Sequence, residues 1–231
     1  MKPLKIFGVI LLVVFGMALM LVPAVRSARE ATRRIQCNGR LRQLALAVLS
    51  YHHHYNVFPP ACTVDENGNP LHSWRTLILP FLDQQKLYEA IDLSKPWNDP
   101  VNAVANTAVF DVYRCPSTDL EATRTTYMAV VTTESVMRPI QSCKLEEIID
   151  GISNTLLLVE VSSEKAVHWM SPVDADEQAL QTQKGKTTLA HPGIRNGALV
   201  DGSVWFLRES LPSEQIHALI TVDGNEAVGE F

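Results

Sequence analysis

The apolar run near the N-terminus is the feature that most constrains what this chain can form. Residues 6–25 (IFGVILLVVFGMALMLVPAV) are 20 residues without a charged side chain. A bilayer core is about 30 Å thick, and a helix of about 20 residues crosses it. The run therefore predicts a transmembrane anchor that follows a short N-terminal flank at residues 1–5. Five apolar residues mark the length of the predicted anchor: Ile6, Leu12, Phe15, Leu19 and Val25.

Two other structures compete for residues 6–25: a cleaved signal peptide and a buried helix of a soluble protein. The apolar part of a signal peptide usually covers about 7–15 residues and ends at small residues. Here the run is longer, and Arg26-Ser-Ala-Arg-Glu-Ala follows it. This difference favours an uncleaved, single-pass anchor.

Two features of the sequence disagree about the orientation of such an anchor. Lys2 and Lys5 precede the run and six arginines lie between residues 26 and 42, so the positive-inside rule places the C-terminal part in the cytoplasm. The four cysteines argue for the opposite side. Their even number, without a Cys-x-x-Cys or a zinc-finger spacing, is typical of disulfides in an oxidising compartment. Four reduced, buried thiols are the alternative.

Residues 26–57 predict an amphipathic spine helix that continues from the anchor, with Pro23 as a kink. The three consecutive histidines at 52–54 then point in directions about 100° apart and cannot converge on one ion, so no metal site is predicted there. The segment FPP at 58–60 ends the helix, because proline cannot continue it. The apolar stripe of this helix consists of Cys37, Leu41, Leu44, Ala45, Val48, Tyr51, His52 and Tyr55.

Residues 58–231 predict a head built from short segments that turn signals separate. The main predicted elements are a hairpin over 61–74 with its turn at Asn67-Gly68, strands over 109–114 and 154–161, a hairpin over 198–207 with a two-residue mirror-image turn at Asp201-Gly202, and a closing helix over 213–221. The predicted fold class is α+β, in which a long N-terminal transmembrane and spine helix precedes a mostly antiparallel β-sheet head with short helices.

Composition and motifs argue against several activities. The net charge of −5 is unlike that of most nucleic-acid-binding proteins. The sequence has no Walker loop, no Gly-x-Gly-x-x-Gly and no Gly-x-Ser-x-Gly motif. His191, Asp201 and Ser203 resemble the members of a triad, but the turn alone explains Asp201. No catalytic residue, metal ligand or cofactor is therefore predicted, and the chain is not expected to be an enzyme.

Two alternative functions stay open at this point. The first is an anchored module that binds a small molecule or glycan in an aromatic groove. The second, weaker alternative is an anchored hydrolase that uses His191 with a nearby hydroxyl or thiol. The tryptophans available for a groove are Trp74, Trp97, Trp169 and Trp205, although core packing is the commoner role for such residues.

Several stretches of the chain form a specific combination of motifs. They are LVPAVRSAREATRRIQCN at 21–38, YHHHYNVFPP at 51–60, HSWRTLILP at 72–80, RCPS at 114–117, DGISNT at 150–155, and His191 followed after nine residues by Asp201-Gly202. From about residue 20 to the C-terminus, this combination resembles a large bacterial family of unknown function with pilin-like N-termini. The family is also described as solute-binding-protein-like.

The resemblance implies the architecture of a type IV pilin or of a type II secretion pseudopilin. The helix would be anchored in the inner (cytoplasmic) membrane with its N-terminus in the cytoplasm, and the head would lie in the periplasm or outside the cell. The implied partners are membrane lipid and pilin-like or secretion-system proteins, and the expected role is that of a structural or interaction protein. The motif residues that receive structural roles are His72, Trp74, Arg75, Asp150, Gly151, Asn154, His191, Asp201 and Gly202.

The N-terminal region departs from the pattern of pilins. Many pilin-like proteins carry Gly-Phe-Thr and then a glutamate at the fifth position of the mature helix. Here the nearest candidate is Gly8-Val9, and the fifth mature position would be Val13. The missing glutamate favours an anchored monomer over a polymerising subunit.

The resemblance also bears on the cysteines. Cys37 and Cys115 lie in motifs where the family tends to have cysteine, whereas Cys62 and Cys143 do not. Four cysteines allow three connectivities. The resemblance favours the pairs Cys37–Cys115 and Cys62–Cys143.

Overall fold

The computed structural model describes residues 2–181, 189–191 and 193–224. Helix α1, Lys2–Tyr55, is continuous over 54 residues with Pro23 inside it, which confirms a single helix through the predicted spine. In the part of the chain so described, no helix is long and apolar enough to cross a membrane. The structure thus gives no support to the transmembrane character predicted for residues 6–25.

The C-terminal part of α1 packs on the head and confirms most of the predicted stripe. Tyr51 and His52 are half-buried, and Tyr55 is exposed, so the stripe fades in the last turns. The helix ends where Asn56 takes a left-handed conformation with φ 58° and donates its N–H to the His52 carbonyl at 2.7 Å. The fully buried members of the stripe are Cys37, Leu41, Leu44, Ala45 and Val48.

The preceding part of α1 differs, because its side chains face solvent. Between residues 25 and 36, all side chains are exposed except Glu30 and Arg34, which are half-buried. Ile35 is 72% exposed and Val25 is 46% exposed. Complete burial in the head therefore begins at Cys37.

The head contains short elements throughout. Its strands and α-helices, in chain order, are β1 (Cys62–Val64), β2 (Pro70–Ser73), α2 (Trp74–Leu77), α3 (Gln85–Glu89), α4 (Ala103–Asn106), β3 (Arg124–Thr125), β4 (Tyr127–Ala129), β5 (Leu156–Glu160), β6 (Val167–His168), α5 (Glu177–Leu180), β7 (Ile194–Leu199), β8 (Val204–Arg208) and α6 (Ser213–Ile220). Its 3-10 helices are Leu79–Leu82, Pro100–Asn102, Asp111–Tyr113, Leu145–Glu147 and Ser163–Lys165.

One four-stranded antiparallel sheet, in the order β4-β5-β7-β8, organises the head. All five residues of β5 are buried, which confirms the strand predicted over 154–161, and β5 lies in the interior of the sheet between β4 and β7. Helix α1 packs against one face of the sheet, at β5 and β7. Helix α6 packs on the opposite face with Ile216, Leu219 and Ile220. The antiparallel α+β head is thus confirmed, with a helix on each face of the sheet.

Two predictions about local structure are wrong. Residues 109–114 form no strand: Asp111–Tyr113 is a 3-10 helix, and the Tyr113 ring stacks on Trp169 with centroids 5.5 Å apart. The β7–β8 hairpin is confirmed, but its loop covers residues 200–203 and is longer than the predicted two residues. Only Gly202 has a positive φ there, at 81°, so the turn is not the mirror-image type that requires two such residues.

The centre of the sheet offers a direct test of this packing. A Cβ at Gly197 in β7 would lie 2.7 Å from Leu207 Cδ1 and 2.9 Å from Leu156 Cδ1, whereas nothing lies within 4 Å of a Cβ at Gly39 in α1. We expect Gly197→Ala to lower the free energy of unfolding by about 1–3 kcal/mol through overpacking. Gly39→Ala should raise it by about 0.5–1 kcal/mol, because alanine favours the helix.

Urea unfolding of the two variants and the parent chain measures both effects. Both substitutions add one methyl group. Any difference between their effects on stability therefore reflects the surroundings of each glycine. An equal gain in stability from both variants would contradict the close packing of β7 between Leu156 and Leu207.

Candidate functional site

A disulfide joins α1 to the middle of the chain. Cys37 and Cys115 are bonded with a Cα–Cα distance of 5.2 Å, which confirms the pair that the resemblance favours. Their exposed fractions are 0% and 3%. Cys115 follows the 3-10 helix Asp111–Tyr113, which itself contacts α1. The bond therefore reinforces an interface that apolar packing also holds.

The imidazole of His191 lies directly beside this disulfide. Its Nε2 atom is 3.8 Å from Cys115 Sγ and 4.0 Å from Glu160 Oε2. Its Nδ1 atom is 3.0 Å from the Glu30 carboxylate, which extends from α1. With Nδ1–H donating to Glu30, the Nε2 lone pair faces the sulfur and Glu160. The ring is 1% exposed, so its contacts with Cys115 and Glu160 are shielded from water, whereas the Glu30 side chain is 34% exposed.

Glu160 ends the central strand β5 with a carboxylate that is almost completely buried. Its Oε2 accepts a 2.6 Å hydrogen bond from Asn196 Nδ2 on the neighbouring strand β7. Its Oε1 has no hydrogen-bond partner among the described residues. Burial raises the pKa of Glu160 to about 7, although Asn196 and Arg195 favour the carboxylate. A buried acid with one unpartnered oxygen is costly and calls for an explanation.

Four residues therefore meet at one point of the interior. Cys37, Cys115, Glu160 and His191 form what we call the Cys–His–Glu cluster, and their ligand atoms all lie within 4.8 Å of one another. The cluster joins α1, the segment after the 3-10 helix Asp111–Tyr113, the end of β5 and His191, three residues before the start of β7. Thiolate, imidazole and carboxylate are all metal ligands, so the side chains have the chemistry of a metal site once the thiols are free.

Only part of this cluster could be predicted from the sequence. The motifs singled out Cys37, Cys115 and His191, but neither Glu160 nor Glu30 was predicted to belong to a site. One signal for Glu160 was present: it is the only charged residue in the otherwise apolar strand LLLVE. A signal for Glu30 was present too: it is the only acidic residue in the sequence of α1, where it sits among arginines.

The triad considered for His191 does not form. His191 contacts Glu30, Cys115 and Glu160, whereas Asp201 accepts a 2.8 Å hydrogen bond from the backbone N–H of Ser203 in the hairpin loop. The Ser203 hydroxyl instead accepts from Trp205 Nε1 at 3.1 Å. Asp201 and Ser203 thus organise the turn and do not face His191.

The motif around Arg75 organises a second buried polar centre. The Arg75 guanidinium, 0% exposed, lies 2.6 Å from Asp174 Oδ1 and donates to the Tyr127 carbonyl at 3.1 Å. Asp174 Oδ1 also accepts from Trp74 Nε1 at 3.0 Å and from the Ala129 N–H at 2.9 Å. This centre attaches α2 to strand β4 and to the segment before α5.

The remaining motif residues lie in backbone-organising positions. His72 Nε2 is 2.7 Å from the Lys95 carbonyl, and burial lowers its pKa. Gly151 has φ 94°, a conformation that glycine adopts easily, and Asn154 Nδ2 donates to the Asp150 carbonyl at 2.9 Å. At Gly202, a Cβ would lie 3.2 Å from Leu46 Cδ2, so the hairpin loop packs closely on α1.

The tryptophans do not line one aromatic groove. Trp74 and Trp169 are buried in the core, with exposed fractions of 0% and 1%. Trp97 is half-buried and stacks on His168 with centroids 5.0 Å apart. Trp205 is 48% exposed on β8. Core packing therefore accounts for Trp74 and Trp169. Trp97 and Trp205 lie in surroundings that differ from the core and from each other.

The other two cysteines are not bonded to each other, contrary to the prediction. Cys62 and Cys143 are free thiols, so the predicted Cys62–Cys143 bridge is wrong. Each S–H donates to a backbone carbonyl at 3.3 Å, that of Pro139 for Cys62 and that of Lys144 for Cys143. Burial raises the pKa of Cys143 to about 11, which keeps this thiol protonated.

Part of the chain is similar to a known protein family. Residues 26–139 match the model of a family described as SBP_bac_10, "Protein of unknown function (DUF1559)". The match covers slightly less than half of the chain. It includes Glu30, Cys37 and Cys115 but not Glu160 or His191. No curated protein and no solved structure matches the chain.

Removal of the disulfide should destabilise the head. The cysteines are 78 residues apart in sequence, and losing a bond across such a loop costs about 2–5 kcal/mol. We expect Cys115→Ala to lower the free energy of unfolding by this amount in urea with a chelator present. Cys62→Ala, which removes a free thiol, serves as the matched control and should change it by less than about 1 kcal/mol.

A thiol titration in denaturant, without reductant, gives an independent measurement. The parent chain should expose two reactive thiols, from Cys62 and Cys143. Four reactive thiols, or equal stabilities of the two variants, would contradict a Cys37–Cys115 bond in the folded protein.

The Arg75–Asp174 pair should be far more sensitive to mutation than an exposed ion pair. We expect Asp174→Ala to lower the free energy of unfolding by about 3–5 kcal/mol, because it leaves a buried cation uncompensated. Arg75→Met should cost a similar amount, and the double variant should cost clearly less than the sum. The control is Asp111→Ala, which removes a 3.9 Å pair with Arg114 whose side chains are 80% and 37% exposed. It should cost less than about 1 kcal/mol.

Chemical denaturation of all four variants tests this expectation as a double-mutant cycle with its control. Strictly additive effects of the Arg75 and Asp174 substitutions would show that the two charges do not interact.

Proposed function

We propose that this chain is a membrane-anchored, pilin-like structural or interaction protein that presents its head outside the inner membrane. The observation that carries the proposal is the division of α1 into an exposed part and a part that is packed into the head. Residues 25–36 are mostly solvent-exposed, whereas the stripe from Cys37 to Val48 is fully buried. A helix of this kind separates a head from its point of attachment.

The dimensions of α1 suit this role. At 1.5 Å per residue, the exposed stretch of residues 25–36 spans about 18 Å. The apolar residues 6–25 precede it and have the length of a bilayer span. The proposal therefore assigns residues 6–25 to the membrane and residues 26–36 to a mostly exposed link, in which Glu30 already contacts His191 of the head.

The proposed orientation rests on the disulfide. Disulfides form and persist in oxidising compartments and are rare in the cytoplasm. The Cys37–Cys115 bond thus favours a head in the periplasm or outside the cell, with the N-terminus in the cytoplasm. The arginines that follow residue 25 favour the opposite orientation, so the topology needs its own measurement.

The resemblance to pilin-like proteins supplies the class of partner. Membrane lipid would contact residues 6–25, and pilin-like or secretion-system proteins would contact the mostly exposed link or the head. Neither a triad at His191 nor a shared tryptophan groove forms in the described residues, so we propose no catalytic activity and no aromatic ligand site.

Membrane extraction tests the anchor. We expect the full chain, expressed in bacteria, to remain in the membrane fraction after alkaline carbonate washing. Leu12→Arg/Phe15→Arg should release it, because each arginine at the centre of a span costs about 2.5–3.5 kcal/mol. Ile35→Arg is the control, since Ile35 is exposed on the link, and this variant should stay with the membrane. Parent protein in the soluble fraction would contradict the anchor.

Protease treatment of spheroplasts tests the orientation separately. A head outside the membrane should be degraded in intact spheroplasts. Protection of the head until the membrane is broken would place it in the cytoplasm. That result would contradict the proposed orientation but not the proposed membrane anchor.

A further inference from the structure

The Cys–His–Glu cluster contains more than a disulfide requires. A buried disulfide is stable in an apolar environment and needs neither an imidazole nor a carboxylate beside it. Here Glu160 and His191 are 2% and 1% exposed and face the two sulfur atoms. Burying such groups costs free energy. Their convergence therefore points to a second use of the same position.

The distances within the cluster approach those of a tetrahedral metal shell. With Zn–S near 2.3 Å and Zn–N or Zn–O near 2.1 Å, ligand atoms lie about 3.4–3.8 Å apart. His191 Nε2 lies 3.8 Å from Cys115 Sγ and 4.0 Å from Glu160 Oε2. All ligand atoms lie within 4.8 Å of one another, and the two sulfur atoms, which are bonded to each other in the disulfide, must separate to form the shell.

Residues around the cluster orient its members as they do around known metal sites. A metal-binding histidine commonly donates its other ring N–H to a carboxylate, and ligating carboxylates are themselves hydrogen-bonded. Glu30 Oε1 lies 3.0 Å from His191 Nδ1, which leaves Nε2 free to bind. Asn196 Nδ2 donates to Glu160 Oε2 at 2.6 Å. Both supporting contacts are present in the oxidised state.

The unpartnered oxygen of Glu160 is the independent observation. Within the described residues, Oε1 of this buried carboxylate has no hydrogen-bond partner. Buried polar atoms nearly always have one, so its isolation needs a reason. The oxygen nearer to His191 is Oε2, and a cation bound there would offset the charge of the carboxylate, which Oε1 shares without a hydrogen bond.

We propose that reduction of the Cys37–Cys115 disulfide converts the cluster into a structural Zn²⁺ site with Cys37, Cys115, His191 and Glu160 as ligands. A dithiol reductant gives two electrons and two protons to the disulfide and becomes a disulfide itself. Zn²⁺ then displaces both thiol protons, and any proton on Glu160, and binds two thiolates, one neutral imidazole and one carboxylate. Two sulfur ligands in a tetrahedral shell select Zn²⁺ over Mg²⁺ or Ca²⁺.

The protein fills all four positions of the proposed shell. No position is left for water or substrate, which is the arrangement of structural rather than catalytic zinc sites. The metal would therefore replace the disulfide as the link between α1 and the head. This inference concerns the head alone and does not depend on the membrane anchor.

Cobalt binding to the purified full chain tests the site. Co²⁺ is the probe, because tetrahedral thiolate coordination gives visible bands and a thiolate charge-transfer band. After reduction with a phosphine and removal of trace metal, the chain should bind one Co²⁺ with these bands, and Zn²⁺ should displace it. The oxidised chain should show neither band. A Cys62→Ala/Cys143→Ala variant is the control and should behave like the parent, since these thiols lie outside the cluster.

Glu160→Gln separates coordination from folding. This variant keeps both cysteines, so circular dichroism of its oxidised form first verifies the fold. Its reduced form should bind Co²⁺ at least about tenfold more weakly than the parent, whereas Glu146→Gln, which changes an exposed acid, should leave affinity unchanged. Glu30→Gln, which alters a positioning residue, should weaken binding by about 10–100-fold and keep the tetrahedral bands.

Three results would overturn the proposal. The first is a folded, reduced parent chain that shows no thiolate–cobalt bands, and the second is binding that survives Cys115→Ala. The third is loss of the bands when Cys62 and Cys143 are replaced. A reduced parent chain that unfolds and is not refolded by Zn²⁺ would also exclude a structural zinc site.

Discussion

Burial of one stripe of α1 against the central sheet is the interaction on which the rest of the head depends. Leu41, Leu44 and Val48 are completely buried, and each contributes about 1.5–3 kcal/mol when removed from water. The helix also covers the face of β5 and β7 that α6 does not cover. Without α1 that face would be open to solvent, so spine and head form one folding unit. The disulfide and the Glu30–His191 contact both lie at this interface.

Features set by local periodicity could be predicted from the sequence. The 3.6-residue repeat of Leu41, Leu44 and Val48 predicts the buried side of α1, because helix geometry alone places them together. The apolar segment of β5 predicts a central strand for a similar reason. Asp201-Gly202 predicts a hairpin, but the same pair also fits a longer loop in which only the glycine has a positive φ, so the motif did not determine the loop length.

Features that depend on distant contacts could not be derived in this way. Glu30, Glu160 and His191 are separated by more than a hundred residues from first to last, and no spacing rule connects them. The same holds for Arg75 and Asp174, which meet only after α2 packs beside β4. The resemblance found Cys37–Cys115, but an even cysteine count does not imply that all thiols pair, as the free Cys62 and Cys143 show.

The position of the disulfide on α1 has a mechanical consequence. Cys37 is the first buried residue after the exposed stretch of residues 25–36, and it is bonded to Cys115 in the interior of the head. Tension applied through the N-terminal part of α1 reaches this covalent bond before it reaches Leu41 or Leu44. The helix therefore cannot be peeled from the sheet one turn at a time from that end. Load enters the head at two points of the chain, and the noncovalent core behind Cys37 is shielded from it.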